Sequence, residues 1–436
     1  MKKSKQHRTR VRNLVVALTL TAIMLSVSTF AWFIGMRTVG VTSFDVEIAV
    51  TEDLRLSLDG DKWFDDRDTL IINAENHITA AYDGNTNWWA GEGLIPMSTI
   101  GEIDPGSSRL MLYEKLSLTP SDGGYRLMSS RVENSATWET RFPDRGHPEA
   151  PGYVAFDLFI ENSSGSDYIS EYNPDDEEAI YLTTDSSVGV AQSGGVAGTG
   201  IENSVRVAFA QIGRVKKGTA ADTITSINCQ PGEESGVTSI CERPATIWEP
   251  NDTDHVVGAI SWYNTSCLGR DAEGAFNTES CNEVENGTYY PTYAVARPIS
   301  SSDKVDVYDG TIYNGYGGRT KLPEPDIYNG FPNETKLDPE ADEDVLLYAV
   351  PTFTDSMKDE LGTARRPFLY LAANSVTKVR VYIYIEGQDI DNYDFASIGK
   401  RISVTFGFTK QRFEPTDIPE YGSTHPTAVT TEPTTP

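Results

Sequence analysis

Apolar and polar residues alternate with a period of two in several separated stretches of the chain. Phe44, Val46, Ile48 and Val50 are interleaved with Asp45 and Glu47, the spacing of a strand that buries one face. Leu54, Leu56 and Leu58 continue the alternation against Arg55 and Ser57 up to an Asp59-Gly60 turn signal. Val205, Val207 and Phe209 repeat it. The cleanest strands come late in the chain. Val379, Val381, Ile383 and Ile385 alternate with Arg380, Tyr382, Tyr384 and Glu386, and Ile402, Val404, Phe406 and Phe408 do so against Ser403 and Thr405.

Residues 153–160 are almost continuously apolar, interrupted by Asp157, and predict a central strand. Residues 111–118 and 125–128 flank Asp122-Gly123-Gly124 and predict a hairpin. Shorter strands are expected at 181–183, 345–350 and 368–371, a flexible connection over 189–200, and a short helix at 395–398. Long amphipathic helical patterns are almost absent, while aromatic and β-branched residues are plentiful. The pattern predicts an all-β fold.

Ahead of the first strand lies a different kind of pattern. Lys2, Lys3, Lys5, Arg8, Arg10 and Arg12 form a basic head, residues 14–27 an apolar run, and Thr29-Phe30-Ala31 a small-x-small site. That order fits a signal peptide over 1–31 cut after Ala31. Counted through Ile34, the apolar stretch also reaches roughly 20 residues, the length of an uncleaved membrane anchor. Both readings put the rest of the chain outside the membrane, with membrane contact only through residues 14–34. They predict an extracellular or cell-surface location, or one anchored at the membrane by the uncleaved helix.

Charge narrows the partners. The 436 residues carry 64 acidic against 36 basic side chains. Without the six cations of the head, 30 basic residues face 64 acidic ones, a formal charge of about −34 that repels nucleic acid and anionic lipid. The four cysteines, Cys229, Cys241, Cys267 and Cys281, lie close together without a C-x-x-C pair. In an exported chain they predict two disulfides. Local pairing, Cys229 with Cys241 and Cys267 with Cys281, is the preferred one of three connectivities. From about 213 to 344 turn residues, cysteines and acidic loops dominate, which predicts a loop-rich, disulfide-containing insertion in a domain spanning 44–412. Within it, residues 312–322 recur as 327–337, an offset of 15 residues. Residues 413–436 are rich in Pro and Thr and predict a disordered tail.

Residues arranged for chemistry are few. His7, His77, His147, His255 and His425 are scattered, and HExxH, GxSxG and P-loop motifs are missing. No catalytic set and no cofactor are expected. Hard oxygen ligands do cluster, with Asp59, Asp61 and Asp65 at one turn and Asp389, Asp391 and Asp394 at another. They are candidates for structural calcium, although neither group fits the EF-hand spacing.

The basic head and apolar run ending in Ala31-Trp32-Phe33, followed at once by a strand, resemble the TasA/camelysin group of Gram-positive surface and biofilm-matrix proteins. Leu54-Arg55-Leu56-Ser57-Leu58-Asp59-Gly60 with Trp63 resembles an early strand and turn of related surface proteins. Residues 381–387 followed by 402–406 resemble their closing β-hairpin. The resemblance covers roughly residues 10–64 and 376–410. It implies a jelly-roll-like antiparallel β-sandwich, processing by a SipW-type signal peptidase, and assembly in which the freed N-terminal segment adds as a strand to a neighbouring subunit. Residues 32–43 are then the donor or linker, with Trp32, Phe33, Ile34, Val39 and Val41 as contacts. The partner would be another copy or another matrix or surface protein. The chain reads as a non-enzymatic structural protein of a surface or matrix. The alternatives are a membrane-anchored adhesin or glycan-binding protein using the 213–344 loops, and a secreted hydrolase.

Overall fold

The computed structural model describes residues 43–50, 53–72, 86–87, 96–121, 124–131, 153–165, 167–264, 284–290, 292–295, 347–392 and 401–412. Outside them lie Ala31, the contacts Trp32, Phe33, Ile34, Val39 and Val41, Cys267 and Cys281, Asp394, the helix expected at 395–398, the 312–337 duplication and the 413–436 tail.

Two sheets face one another across a shared apolar core. The larger has eight strands, in the order β18 (Phe353–Thr354), β15 (Thr246–Glu249), β13 (Val205–Lys216), β20 (Ser375–Ile385), β10 (Tyr153–Asn162) and β2 (Leu54–Ser57). Two short strands attach to it, β14 (Thr238–Ser239) on β13 and β4 (Thr86–Asn87) on β10. The smaller sheet runs β19 (Leu369–Ala372), β11 (Glu177–Leu182), β21 (Arg401–Thr409), β1 (Ser43–Val50) and β3 (Leu70–Ile72), with β12 (Ser187–Val190) also paired to β21. The remaining strands form small sheets: β5 (Met97–Ser98) with the hairpin β8 (Tyr113–Ser121) and β9 (Gly124–Arg131), β6 (Ile103–Asp104) with β7 (Arg109–Leu110), and β16 (Tyr293–Val295) with β17 (Leu347–Ala349). Among the described residues no helix is long and apolar enough to cross a membrane.

The predicted alternation governs which side chains fill the core. Phe44, Val46 and Ile48 of β1, Val379, Val381, Ile383 and Ile385 of β20, and Ile402, Val404, Phe406 and Phe408 of β21 all bury in one cluster between the sheets. Phe209 of β13 joins the two layers. Its ring meets Phe368, Phe406 and Phe408 edge-on at centroid distances of 5.0, 5.2 and 5.8 Å, contacts that add about 0.5–1.5 kcal/mol each beyond the area they bury.

Strand placement departs from expectation at several points. Strands β20 and β21 do not form a closing hairpin; they lie in opposite sheets, each turning its apolar face to the common core from its own side. Alternation identifies an apolar face but not the sheet that carries it. Most pairings are antiparallel, yet β1 runs parallel to β21 over its whole length, from Ser43 opposite Arg401 to Val50 opposite Phe408. At the start of the expected 213–344 insertion, β13 continues to Lys216, and β14 and β15 join the large sheet. The strand expected at 345–350 pairs with β16 and stands outside the sandwich.

A second apolar cluster covers the outer face of the large sheet. Tyr153, Ala155 and Phe159 of β10, Ala208, Ala210, Ile212 and Val215 of β13, Ile247 of β15, and Val376, Tyr382 and Tyr384 of β20 pack with Met97, Ile103, Leu110, Ile224 and Ile227. The large sheet is therefore buried on both sides. A bulge between Gln211 and Gly213 shifts the register of β13 on β20. Gly213 is needed there, since a Cβ would lie 2.8 Å from Ile227 Cγ2 and 2.9 Å from the Thr238 carbonyl. Beyond the bulge Arg214 reaches Glu177 of the opposite sheet, Nη1 to Oε1 2.5 Å.

Candidate functional site

Charged residues interrupt the outer face of the large sheet at its centre. Lys378 and Arg380 follow Val376 on that face of β20, and Asp157 stands between Ala155 and Phe159 on β10. Register sets Asp157 directly opposite Arg380, and Phe159 opposite Lys378. The carboxylate bridges both cations, with Arg380 Nη1 2.7 Å from Oδ1 and Lys378 Nζ 3.1 Å from Oδ2. On the other flank β13 places Ala210 beside Arg380 and Gly213 beside Lys378. Gly213 is closely covered by Ile227 and the Thr238 carbonyl. Asp157, Lys378 and Arg380 line a cavity of about 430 Å³.

Two loops wall it. One is the turn between β6 and β7, with Ser107, Ser108 and Arg109 on the cavity. Asp104 shapes that turn, accepting from the Gly106 N–H at 3.1 Å and the Ser107 hydroxyl at 2.8 Å. Tyr382 accepts the Leu110 N–H at 3.0 Å and ties the hairpin down to the sheet. The other wall runs from Thr225 to Gln230. Lys378 Nζ donates to the Thr225 carbonyl at 3.1 Å, and Cys229 N–H donates to Ser108 Oγ at 2.9 Å, joining the walls. The predicted disulfide Cys229–Cys241 forms, with Cα atoms 5.6 Å apart, and fastens this second wall beside β14. The cavity is thus polar above and cationic below. Three cationic side chains, Arg109, Lys378 and Arg380, line it against the single carboxylate of Asp157, in a chain of formal charge −28.

A second charged group is fully enclosed, near the start of β13 and the ends of β15 and β20. Arg206 Nη2 lies 2.6 Å from both Glu249 Oε1 and Asp389 Oδ2, and Nη1 donates to the Asn203 and Val205 carbonyls at 3.0 Å. Burial opposes the Arg206 charge, but the two carboxylates outweigh it and push its pKa up. Burial raises Glu249 against the pull of Arg206. Glu386, 2% exposed, is pushed by burial up to about 8, with Arg206 opposing the rise. Next to this group His255 Nδ1 meets Asp391 Oδ2 at 2.9 Å, and Nε2 meets the Thr288 carbonyl at 3.2 Å. Burial lowers the His255 pKa, but the Asp391 contact prevails and raises it. Burial raises Asp391 to about 6.

Four of the five described calcium candidates have partners within the protein. Asp59 Oδ1 caps its own turn, accepting from the Asp61 and Lys62 N–H groups at 2.9 and 2.8 Å. Asp61 is exposed. Asp65 pairs with Arg67. Asp389 and Asp391 serve Arg206 and His255. Among the described residues no group of three or more His, Cys, Asp or Glu is arranged to hold a metal ion. Asp157, Lys378 and Arg380 were visible in the sequence as polar interruptions of apolar strands, and that was the available signal for the cavity. Arg206, Glu249 and Glu386 offered none beyond their place next to strand residues. No family model, curated protein or solved structure matches the chain.

Proposed function

We propose that this is an exported, non-enzymatic structural protein of a cell surface or extracellular matrix that assembles by β-strand addition through residues 32–43. The observation that supports this reading is the position of β1. It starts at Ser43, where the donor segment ends, and is held on both sides, by β21 along its length and by β3 at Val46–Ile48. Residues 32–42 thus precede an interior strand of the small sheet. An apolar segment that adds as a strand to the sheet of another molecule gains main-chain hydrogen bonds and side-chain pockets. Among the described residues, β3 and β19 are the outermost strands of the small sheet. Ile71 on β3 is 45% exposed. The Cys229–Cys241 bridge agrees with an oxidising location. Signal peptidase is the processing enzyme, and a second copy or another matrix protein is the partner.

The test compares the chain beginning at Trp32 with one lacking residues 32–42, which leaves β1 intact. Light scattering and electron microscopy should find assemblies in the first and monomers in the second. Equal assembly by both would remove the strand-donor mechanism.

A further inference from the structure

We propose that Lys410 and Asn162 join in an intramolecular isopeptide bond, with Glu178 moving the protons. The bond ties the large sheet to the small one, and it does not rest on the assembly reading.

Three strands bring the groups together. Asn162 closes β10 of the large sheet, Glu178 lies on β11 of the small sheet, and Lys410 directly follows β21. Lys410 and Asn162 are separated by 248 positions in sequence, yet Lys410 Nζ lies 3.2 Å from Asn162 Oδ1 and 2.7 Å from Glu178 Oε2. The same Oε2 accepts from Asn162 Nδ2 at 2.9 Å. One carboxylate oxygen thus touches both the amine and the amide nitrogen. An amine, a carboxamide and a carboxylate in mutual contact hold what amide exchange needs: a nucleophile, an electrophile and a group that carries protons between them.

The amide is presented in one orientation. Asn162 is fully buried. Its Nδ2 also donates to the Ala372 carbonyl at 3.1 Å, and its Oδ1 accepts from the Ser164 N–H at 3.2 Å. Acceptors on the nitrogen side and donors on the oxygen side exclude the flipped amide. Ser164 Oγ sits 2.9 Å from Oδ1 and 2.5 Å from Glu178 Oε2, so its single proton turns to whichever oxygen carries more charge. Donors gathered on Oδ1 stabilise the negative charge that develops there when an amine attacks Cγ.

Glu178 is placed to start the reaction. Burial raises its pKa, but the hydrogen bonds from Lys410, Ser164 and Asn162 outweigh burial and hold it below the usual carboxylate value, so it is ionised and ready to accept a proton. It takes one from Lys410 Nζ, and the neutral amine attacks Cγ. The Nζ–Cγ bond forms and the Cγ–Nδ2 bond breaks. Nζ gives up two protons in all, both reach the departing nitrogen through Glu178, and that nitrogen leaves as ammonium. No oxidant or further reactant enters. Holding the groups in contact supplies the high effective concentration that an exchange between free amides and amines lacks. The step happens once per chain, so it need not be fast. The Glu178 side chain is 37% exposed, which gives the ammonium a way out and makes the bond permanent.

Mass spectrometry of the full chain, incubated folded at neutral pH and then reduced and denatured, tests this. The chain should weigh less than its amino-acid composition requires by one ammonia, and a proteolytic digest should contain a branched peptide joining residue 162 to residue 410. Glu178→Gln, which keeps the shape but loses the base, should form that peptide at least about a hundredfold more slowly. Circular dichroism checks that the variant folds, and Lys410→Arg, which keeps the charge and should form no branched peptide, serves as the second variant. A native chain of full mass without the branched peptide would overturn the proposal, and so would formation at the native rate in folded Glu178→Gln.

Discussion

Replacing Glu386 with Gln should make the protein more stable at neutral pH and leave it nearly unchanged in mild acid. Glu386 follows β20 and is sealed beneath the β5 segment. Its N–H donates to the Ser204 carbonyl at 2.7 Å, and the next N–H, of Gly387, donates to the Met97 carbonyl at 2.7 Å. Its Oε1 accepts from the Gln388 N–H at 2.9 Å. Burial holds the pKa at about 8, against 4.5 for the group in an unfolded chain. Between those values the folded state carries one proton more than the unfolded state, so stability falls as pH rises, by about 1.4 kcal/mol per pH unit. The Glu386 contribution is fully present below pH 4.5 and is lost as pH approaches 8. From pH 4.5 to 7 the loss amounts to about 3 kcal/mol. Glutamine keeps the shape of the protonated side chain and cannot ionise, so Glu386→Gln removes this slope. Urea unfolding at pH 5 and pH 8, followed through the emission of the fully buried Trp248, compares the two chains directly. All other titrating groups are common to both and cancel in the difference. The variant should gain several kcal/mol on the native chain at pH 8 relative to pH 5. A stability difference that is the same at both pH values would refute the argument that Glu386 is held neutral.

Two further outcomes follow from the same geometry. Arg206→Met leaves Glu249 and Asp389 buried without their cation, and should cost about 3–5 kcal/mol in urea unfolding at pH 7; a loss under about 1 kcal/mol would mean that the carboxylates simply take up protons. Replacing Cys229 and Cys241 together by Ala opens a loop with a sequence separation of 12, and should cost about 3 kcal/mol in the chain-entropy picture. Unchanged unfolding of the double variant would show that the second cavity wall is held by its apolar contacts alone.

Much of the framework was legible from side-chain alternation. Val379, Val381, Ile383 and Ile385 are all fully buried, as their spacing required, and the hairpin around residues 122–123 pairs Tyr113 with Arg131 through Ser121 with Gly124. The local Cys229–Cys241 pairing was also readable, because a short loop closes at low entropic cost. The local partners of the acidic turns were not legible: Asp59 and Asp65 bond within their own loop, and Asp389 and Asp391 meet Arg206 and His255, far away in sequence.

The sequence by itself determined that this chain builds strands, which face of each strand is apolar, and that the strands are enough for a two-layer core. Those properties depend on neighbours two residues apart, and every residue carries that information locally. Only the tertiary structure decided that β20 and β21 belong to opposite sheets, that β1 pairs in parallel with β21, and that the outer face of the large sheet is covered as well. Arg380 and Lys378 illustrate the reason. Read along the chain, they are the polar positions of a half-exposed strand, and solvent is the expected neighbour. Folding brings a hairpin from residues 103–110 and a disulfide-tied loop from 225–230 over them. Their charge thereby changes from a solvated surface feature into the floor of a cavity, because long-range register, which alternation does not encode, sets what each face meets.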